Sequence, residues 1–110
     1  MDKILKILSA LSDKTRLRIF LLLVNESLCV CELINILEMK QARISRIMKK
    51  LKDAGLVKGE RAGKWIIYSA NSEVLKMGFI RGLLNDVKVT ETDLKRLKKC
   101  KKEGIRKNCC

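Results

Sequence analysis

The chain has no histidine, and this absence excludes several classes of function. Histidine is the commonest general base and the usual partner of a catalytic cysteine, so catalysis by a Cys–His pair is excluded. The sequence also lacks a glycine-rich phosphate loop and any pattern typical of a paired-carboxylate pocket. We therefore do not expect an enzyme. Proline is absent as well, which favours uninterrupted helices.

Long apolar segments are also missing. No run of 18 apolar residues occurs, so the sequence predicts no transmembrane span. The N-terminal stretch MDKILKILSALSDKTR lacks the apolar run and the small-residue cleavage site of a signal peptide. We expect a cytoplasmic protein whose five cysteines are mostly reduced. The odd number of cysteines and their irregular spacing also fit no disulfide framework.

Positive charge is what the chain has in excess, with 25 lysines and arginines, 12 acidic residues and a net charge of +13. A small organic substrate does not require so much charge, whereas a polyanion does. Nucleic acid or an anionic membrane surface is therefore the expected class of partner. Apolar residues make up 47% of the 110 residues and charged residues 34%, which is typical of one soluble globular domain.

Apolar residues at helical spacing dominate the first half of the chain. We predict helices over residues 2–11, from the capping residue Asp13 to about Val24, from about Val30 to Leu37, and from about Lys40 to Ala54. Gly55 would end the fourth helix, because glycine readily adopts the left-handed conformation that follows a helix.

The period changes in the second half. The stretch LVKGERAGKWIIYSAN predicts a two-stranded hairpin, with Gly63 supplying the positive φ of the turn. Helical spacing returns from about Ser72 to Asn85, and Thr90 would cap a last helix. The remaining tail, KKCKKEGIRKNCC, is rich in charge, and we expect it to be frayed.

The predicted fold is mainly α with a small β-hairpin wing, in the α+β class. We divide it into a winged helix-turn-helix domain for DNA binding and dimerisation, residues 1–88, and a basic, cysteine-containing helix and tail, residues 89–110. Helix, tight turn, helix and hairpin follow one another from residue 28 to residue 69. In such motifs the N-terminal part of the second helix enters the major groove.

The charge in this region is organised. From Lys40 to Lys64 there are nine basic residues and only two acidic ones, whereas a face that merely keeps a helix soluble would mix the signs. This pattern favours binding to double-stranded DNA over a face that only solvates the helix. The residues expected to face DNA lie off the apolar stripe of the fourth helix or on the wing, and they are Gln41, Ala42, Arg43, Ser45, Arg46, Lys49, Lys50, Lys58, Arg61 and Lys64.

These DNA-facing residues have different expected roles. Gln41 and Arg43 carry the donor and acceptor groups that base edges require. Arg46 and Lys49 are better suited to phosphates, which position a protein without reading sequence.

Four segments together resemble the ArsR/SmtB family of winged-helix repressors, and most closely its arsenical-resistance repressors. They are LSDKTRLRIFLLL, LCVCEL, QARISRIMKKLKDAGLV and GKWIIYS, and the resemblance covers about residues 4–70. It implies a cytoplasmic homodimer that binds an operator and releases it when a metal or metalloid binds. It also implies a dimer interface formed by residues 2–11 and 72–86. The family's usual LGLS turn is replaced here by Leu37-Glu38-Met39-Lys40.

Cys29 and Cys31 lie at the predicted start of the third helix. The segment from Cys29 to Glu32 has the form of a capping box with a thiol in place of the usual hydroxyl. A thiol is a poorer cap, and such departures are more expected at functional sites. Two sulfurs can converge at a helix start, and the helix N-terminus favours the thiolate that binds metal. The alternative is that both cysteines are small buried hydrophobes.

Ligation by cysteine alone selects soft ions. With the resemblance, this implies As(III) or Sb(III) as the effector, since the Zn, Ni or Co sites of sister repressors cannot form without histidine. The resemblance places a third thiolate where this chain has Ile34. We rank first a mixed site of Cys29, Cys31 and one tail cysteine, drawn from the same or the partner chain. The candidate tail cysteines are Cys100, Cys109 and Cys110.

Other readings of the thiols remain open. Cys29 and Cys31 alone could bind a methylated arsenical, which needs two thiolates, or the tail cysteines could form the site by themselves. The same scaffold could be a redox-responsive repressor whose thiols form a disulfide. A more distant alternative is a small thiol carrier for soft metals, which the organised charge of residues 40–64 disfavours.

Overall fold

The computed structural model describes residues 1–105 of the chain. Its elements, in order, are α1 (Asp2–Leu11), α2 (Lys14–Asn25), β1 (Leu28–Cys29), α3 (Val30–Leu37), α4 (Gln41–Asp53), β2 (Val57–Ala62), β3 (Trp65–Ala70), α5 (Ser72–Leu75), α6 (Gly78–Asp86) and α7 (Glu91–Glu103). This is a winged helix-turn-helix fold, as predicted. No helix within the described residues is both long and apolar enough to cross a bilayer.

The first four helices begin and end within a residue or two of the predicted bounds, because local signals determine them. Asp13 precedes α2 in an extended conformation, and its carboxylate accepts the backbone N–H of Arg16 at 3.0 Å. Gly55 follows α4 with φ of +78°, which confirms it as the residue that ends the helix. One face of each helix is buried in a shared apolar core around Phe20 and Leu33.

The wing differs from the predicted two-stranded hairpin. Strands β2 and β3 pair as expected around Gly63, whose φ is +64°. A third strand, β1, pairs antiparallel with β3, so the sheet order is β1-β3-β2. In this register Cys29 lies opposite Ile67. The two-residue strand is too short to show a period, which is why the sequence did not reveal it.

The helix predicted over residues 72–85 is also divided in two. The break falls at Lys76 and Met77, and Met77 has the extended φ and ψ of −70° and 133°. The side chain of Asn71 caps the short α5 through the Glu73 backbone N–H and donates to the Gly55 carbonyl at 2.8 Å. These contacts fix α5 against the end of α4, and α6 then begins afresh at Gly78.

Helix α7 continues to Glu103 and ends at Gly104, so the expected fraying from residue 98 is wrong as far as residue 103. Thr90 caps this helix, as predicted, by accepting the Asp93 backbone N–H. Leu97 and Cys100 join the apolar core, and α7 packs against α3.

A buried ion pair also attaches α7 to α2. The Asp93 side chain is buried, and both its oxygens accept hydrogen bonds from the Arg18 guanidinium, at 2.8 and 3.0 Å. A buried carboxylate needs such a partner because its desolvation is costly. Since the Arg18 side chain remains 26% exposed, water can partly solvate the guanidinium if the pair is broken.

We expect Asp93→Asn to lower the free energy of unfolding by about 1–3 kcal/mol, because one strong charge-assisted bidentate pair is lost. Urea unfolding of the reduced protein measures this change. Asp86→Asn is the matched control, since Asp86 is exposed at the end of α6 and should change stability by less than about 0.5 kcal/mol. Equal effects of the two substitutions would contradict the assigned pair.

Candidate nucleic-acid interface and thiol site

Helix α4 separates an apolar face from a basic one. Ile44, Met48 and Leu51 are buried, with the spacing expected of a helix that packs along one stripe. The predicted DNA-facing residues of this helix are all exposed, and they are Gln41, Ala42, Arg43, Ser45, Arg46, Lys49 and Lys50. Their placement agrees with the predicted geometry, and their contact with DNA stays a prediction.

The wing adds a second basic surface. Lys58 and Arg61 lie on β2, Lys64 lies in the turn between the strands, and all three are exposed. Gly59 lies between the two β2 residues, and a Cβ there would come within 3.0 Å of the Tyr68 ring. The close approach of this ring explains why residue 59 is a glycine. The basic side chains of Lys58 and Arg61 therefore lie on a well-packed strand.

Two clefts beside α4 contain basic residues that the sequence did not single out. A cleft of about 270 Å³ between α2 and α4 is lined by Arg16, Arg43, Arg46 and Lys50, with Asp13 at its side. The Arg16 guanidinium donates to the Ala10 carbonyl at 2.7 Å and thereby ties α1 to α2. The Arg16 backbone N–H, helped by the charges of Arg16 and Arg43, holds the pKa of Asp13 below its usual value.

A second cleft, of about 570 Å³, lies between α1 and α4. Lys6 contributes to it together with Arg46, Lys49 and Lys50. The positive surface therefore extends beyond α4 onto α1 and α2. The signal for Arg16 and Lys6 was weak in the sequence, because each lies in a segment that reads as an ordinary amphipathic helix.

Cys29 occupies the predicted capping position. It precedes α3 with φ of −92° and ψ of 170°, and its side chain is buried. The Cys29 backbone N–H donates to the Glu32 carboxylate at 3.0 Å, and the thiol faces the Glu32 backbone N–H in return. The capping box is thus confirmed. Cys31, in the first turn of the same helix, is half-buried and disulfide-bonded, so the expectation of a reduced thiol is wrong for this residue.

Glu32 is the charged residue at the centre of this region. Glu32 is only 1% exposed to solvent, and its carboxylate lies 2.9 Å from the Lys101 Nζ. Lys101 also donates to the Ser27 carbonyl at 3.3 Å. The N-terminus of α3 is therefore held to the C-terminal part of α7 by a buried ion pair, which costs much less than an unpaired buried charge.

Cys100 lies one residue before Lys101 and faces the same region. Cys29 and Cys100 are both free, buried thiols. Burial raises the pKa of the Cys100 thiol to about 11, with a further rise from the Glu32 charge that Lys101 partly offsets. Cys29 and Glu103 also raise this pKa. The contacts of Lys101 with Glu32 and Ser27 bring the part of α7 that carries Cys100 to the start of α3, where Cys29 lies.

The predicted ligands are thus only partly brought together. Helix α7 brings Cys100 to the start of α3, where Cys29 and Cys31 lie. Within residues 1–105, no group of three His, Cys, Asp or Glu side chains is already arranged to hold a metal ion. Cys109 and Cys110 lie outside the described residues, so their part in a site stays a prediction.

The other end of α3 also contacts α7. Glu38 follows α3 with φ of +56° and is the one non-glycine residue with positive φ in the described part of the chain. A left-handed conformation costs a residue with a side chain about 1–3 kcal/mol. The Arg96 guanidinium donates to the Ile36 carbonyl at 3.2 Å and approaches the Glu38 carboxylate at 3.5 Å. Both contacts stabilise the turn.

Comparison with known proteins now identifies the family. The family model for bacterial regulatory proteins of the arsR family matches residues 13–58. The chain belongs to the ArsR family, and its fold places it among the winged helix-turn-helix regulators of that family.

Three curated relatives illustrate the range of the family. The chain is 42% identical over 69 residues to the arsenic resistance transcriptional regulator ArsR1 of Pseudomonas putida, covering 62% of this chain and 54% of the relative. It is 39% identical over 72 residues to a cadmium resistance transcriptional regulatory protein CadC homolog of Staphylococcus aureus, covering 64% and 60%. It is 37% identical over 78 residues to the arsenical resistance operon repressor of Bacillus subtilis, covering 70% of each.

Matches to the first two of these relatives span less than two thirds of those proteins. Among solved structures, the chain resembles the homodimeric winged helix-turn-helix DNA-binding domain of Mb0332 from Mycobacterium bovis. The TM-score is 0.65 at 26% identity, covering 77% of this chain and 80% of that one.

The raised pKa of Cys100 predicts a pH dependence of stability. The folded state keeps the thiol proton up to about pH 11, whereas the thiol in the unfolded chain loses it near the ordinary value of 9.0. The folded state therefore binds more protons between these pH values, and the stabilisation present below pH 9 is lost as the pH rises towards 11.

Urea unfolding of reduced wild type and Cys100→Ala from pH 8 to pH 11 isolates this contribution. We expect the wild type to lose part of its stability advantage over the variant above pH 9. Every other ionisable group is present in both proteins, so the difference between the two curves reports on residue 100. A difference that stays constant across the range would contradict the assigned burial of this thiol.

Proposed function

We propose that this protein is a DNA-binding transcriptional repressor that releases its operator when As(III) or Sb(III) binds the thiolates of Cys29, Cys100 and, once its disulfide is reduced, Cys31. The observation that carries the proposal is the free, buried thiol of Cys29 at the start of α3, the helix that leads directly into α4, with the free, buried thiol of Cys100 on the adjoining helix α7. The basic face of α4 and the wing support DNA as the partner.

Several features support a homodimer formed through α1, α5 and α6. Ile4, Leu5 and Leu8 on α1 are 41%, 54% and 49% exposed, and Phe79 on α6 is 38% exposed. Leu8 and Phe79 also line an apolar groove of about 340 Å³ between these helices. Apolar side chains exposed together in this way are typical of a protein interface. A twofold arrangement would place two α4 helices to read two half-sites.

The thiols fit a soft, thiophilic ion in their chemistry. Cys29 and Cys100 are buried, Cys31 is half-buried in the first turn of α3, and ligation by sulfur favours soft ions. Such an ion supplies bonds to sulfur that would link the start of α3 to α7. Because β1 pairs with β3, a displacement of Cys29 would also reach the wing. The thiol site is therefore directly connected to both elements proposed to face DNA. Helix α4 follows α3 in the chain, and the wing strand β3 pairs with β1.

Release of the operator requires only a moderate change in α3. Each ~1.4 kcal/mol lost in DNA affinity weakens binding tenfold. The Glu32 capping bond and the Lys101 ion pair hold the first turn of α3, so an ion that repositions Cys29 or Cys100 would compete with them. The effector and the operator would then favour different positions of α3, which is the thermodynamic requirement for coupling.

DNA binding through phosphates predicts a steep dependence on salt. If six to ten phosphates are neutralised, affinity for promoter DNA should fall roughly 10³–10⁵-fold between 50 and 200 mM salt. Arg46→Ala should reduce the salt slope by about one, because one phosphate contact is lost. Lys98→Ala removes the same charge from α7 and should leave the slope unchanged. Fluorescence anisotropy measures both, and equal slopes in the two variants would contradict the assigned DNA face.

Titration of reduced protein with As(III) on its own promoter DNA tests the effector site. We expect wild-type protein to release DNA, and Cys29→Ser, Cys31→Ser and Cys100→Ser each to need about tenfold more As(III) or not to respond. Each variant should bind DNA normally without As(III), which is the internal control. A Cys109→Ser/Cys110→Ser double variant shows whether those residues contribute. Equal release by all five proteins would contradict the ligand assignment.

Two further titrations separate the competing functions. If an oxidant releases DNA, dithiothreitol restores binding and As(III) has no effect on reduced protein, the redox-responsive repressor is correct instead. If Cd(II) acts at lower concentration than As(III) or Sb(III), the effector is a soft divalent cation. Failure to bind promoter DNA under any condition would favour the thiol carrier.

A further inference from the structure

The turn between α3 and α4 is held by a residue from outside the helix-turn-helix. Only Glu38, Met39 and Lys40 separate the two helices. Glu38 adopts its positive φ in this turn, and Lys40, which precedes α4, provides no side-chain cap for it. The turn therefore lacks both of the local features that would fix its shape, a glycine at the left-handed position and a capping side chain.

Arg96 supplies what the turn lacks. Its guanidinium, on α7, donates to the Ile36 carbonyl in the last turn of α3 and pairs with the Glu38 carboxylate. The last carbonyls of a helix have no partner within the helix, so this contact satisfies a group that needs one. The orientation of α4 relative to α3 then depends on the position of α7.

Arg96 also shares a helix face with the thiol site. Arg96 and Cys100 are four residues apart on α7, so their side chains lie one turn apart on the same face. Helix α7 contacts both ends of α3, through Arg96 at the C-terminal end and through Lys101 at the N-terminal end. A shift of α7 at Cys100 therefore reaches the turn through a rigid helix rather than through α3 alone.

We propose that Arg96 is a positioning residue through which α7 sets the α3–α4 turn and makes the orientation of the DNA-facing helix depend on the thiol site. The inference rests on the proposed function, which it deepens by naming the route of regulation. Arg96 touches neither DNA nor the effector in this scheme. Its contribution appears as DNA affinity in the absence of effector and as the size of the effector response.

Four full-length, reduced proteins test the inference: wild type, Arg96→Met, Lys95→Met and the double variant Glu38→Gly/Arg96→Met. Lys95→Met is the matched control, because it removes the same charge from an exposed position on the same helix. Affinity for promoter DNA is measured by anisotropy with and without saturating As(III), and urea unfolding checks that each protein is folded.

We expect Arg96→Met to weaken DNA binding about tenfold more than Lys95→Met, because a charged donor and its acceptors are lost at the turn. Glu38→Gly should restore the affinity of Arg96→Met to within about twofold of the control, since glycine adopts positive φ without cost. The restored turn no longer depends on α7. Its As(III)-induced loss of affinity should therefore be at least about fivefold smaller than that of wild type.

This split between restored affinity and unrestored response is not expected of a residue that only stabilises the fold. Equal DNA affinity of Arg96→Met and Lys95→Met, or no restoration by Glu38→Gly, overturns the inference. A wild-type response to As(III) in the double variant overturns it as well. Wild-type protein that binds no promoter DNA, or binds it and ignores As(III), overturns the proposed function and the inference with it. If wild type ignores As(III) while Arg96→Met still weakens DNA binding, Arg96 has only a structural role.

Discussion

The buried carboxylate of Glu32 is the constraint on which the arrangement of the site depends. A charge that is 1% exposed is tolerated only with strong partners, and Glu32 has the Cys29 backbone N–H at 3.0 Å and the Lys101 Nζ at 2.9 Å. The Lys101 contact requires the start of α3 and the C-terminal part of α7 to meet. Their meeting places Cys100 in the neighbourhood of Cys29, although the two residues are far apart in sequence. The neighbouring thiols thus follow from the pairing of one acidic and one basic residue.

Helix α3 then links the thiols to the proposed DNA-facing surface. Its first turn adjoins β1, which pairs with the wing strand β3, and its last turn leads into α4 through the Glu38 turn. A short helix buried on one face moves as a unit, since its packed side chains allow few intermediate positions. Helix α7 contacts α3 at both ends, so it is well placed to hold α3 in one position. We propose that the binding of a thiophilic ion shifts α3 away from the position in which α7 holds it.

Local patterns in the sequence predicted most of the fold. Helical spacing gave the bounds of α1 and α3, and Asp13, Thr90 and Gly63 marked caps and the wing turn because each has a local conformational role. The exposed face of α4 also followed from its apolar stripe. The contacts of α7 could not be predicted in this way, because pairs such as Arg18–Asp93 and Glu32–Lys101 join distant segments and have no period. The replacement of the family's turn glycine by Glu38 was visible, but its partner Arg96 required the structure.

In the proposed mechanism, the thiol site and the α3–α4 turn move together. Amide hydrogen exchange, followed by mass spectrometry on reduced full-length protein with and without arsenous acid, tests it most directly. We expect exchange to change in peptides covering residues 28–33 and 38–41 at the same As(III) concentration, and Cys29→Ser to abolish both changes. A change confined to residues 28–33, with residues 38–41 unaffected, would contradict it.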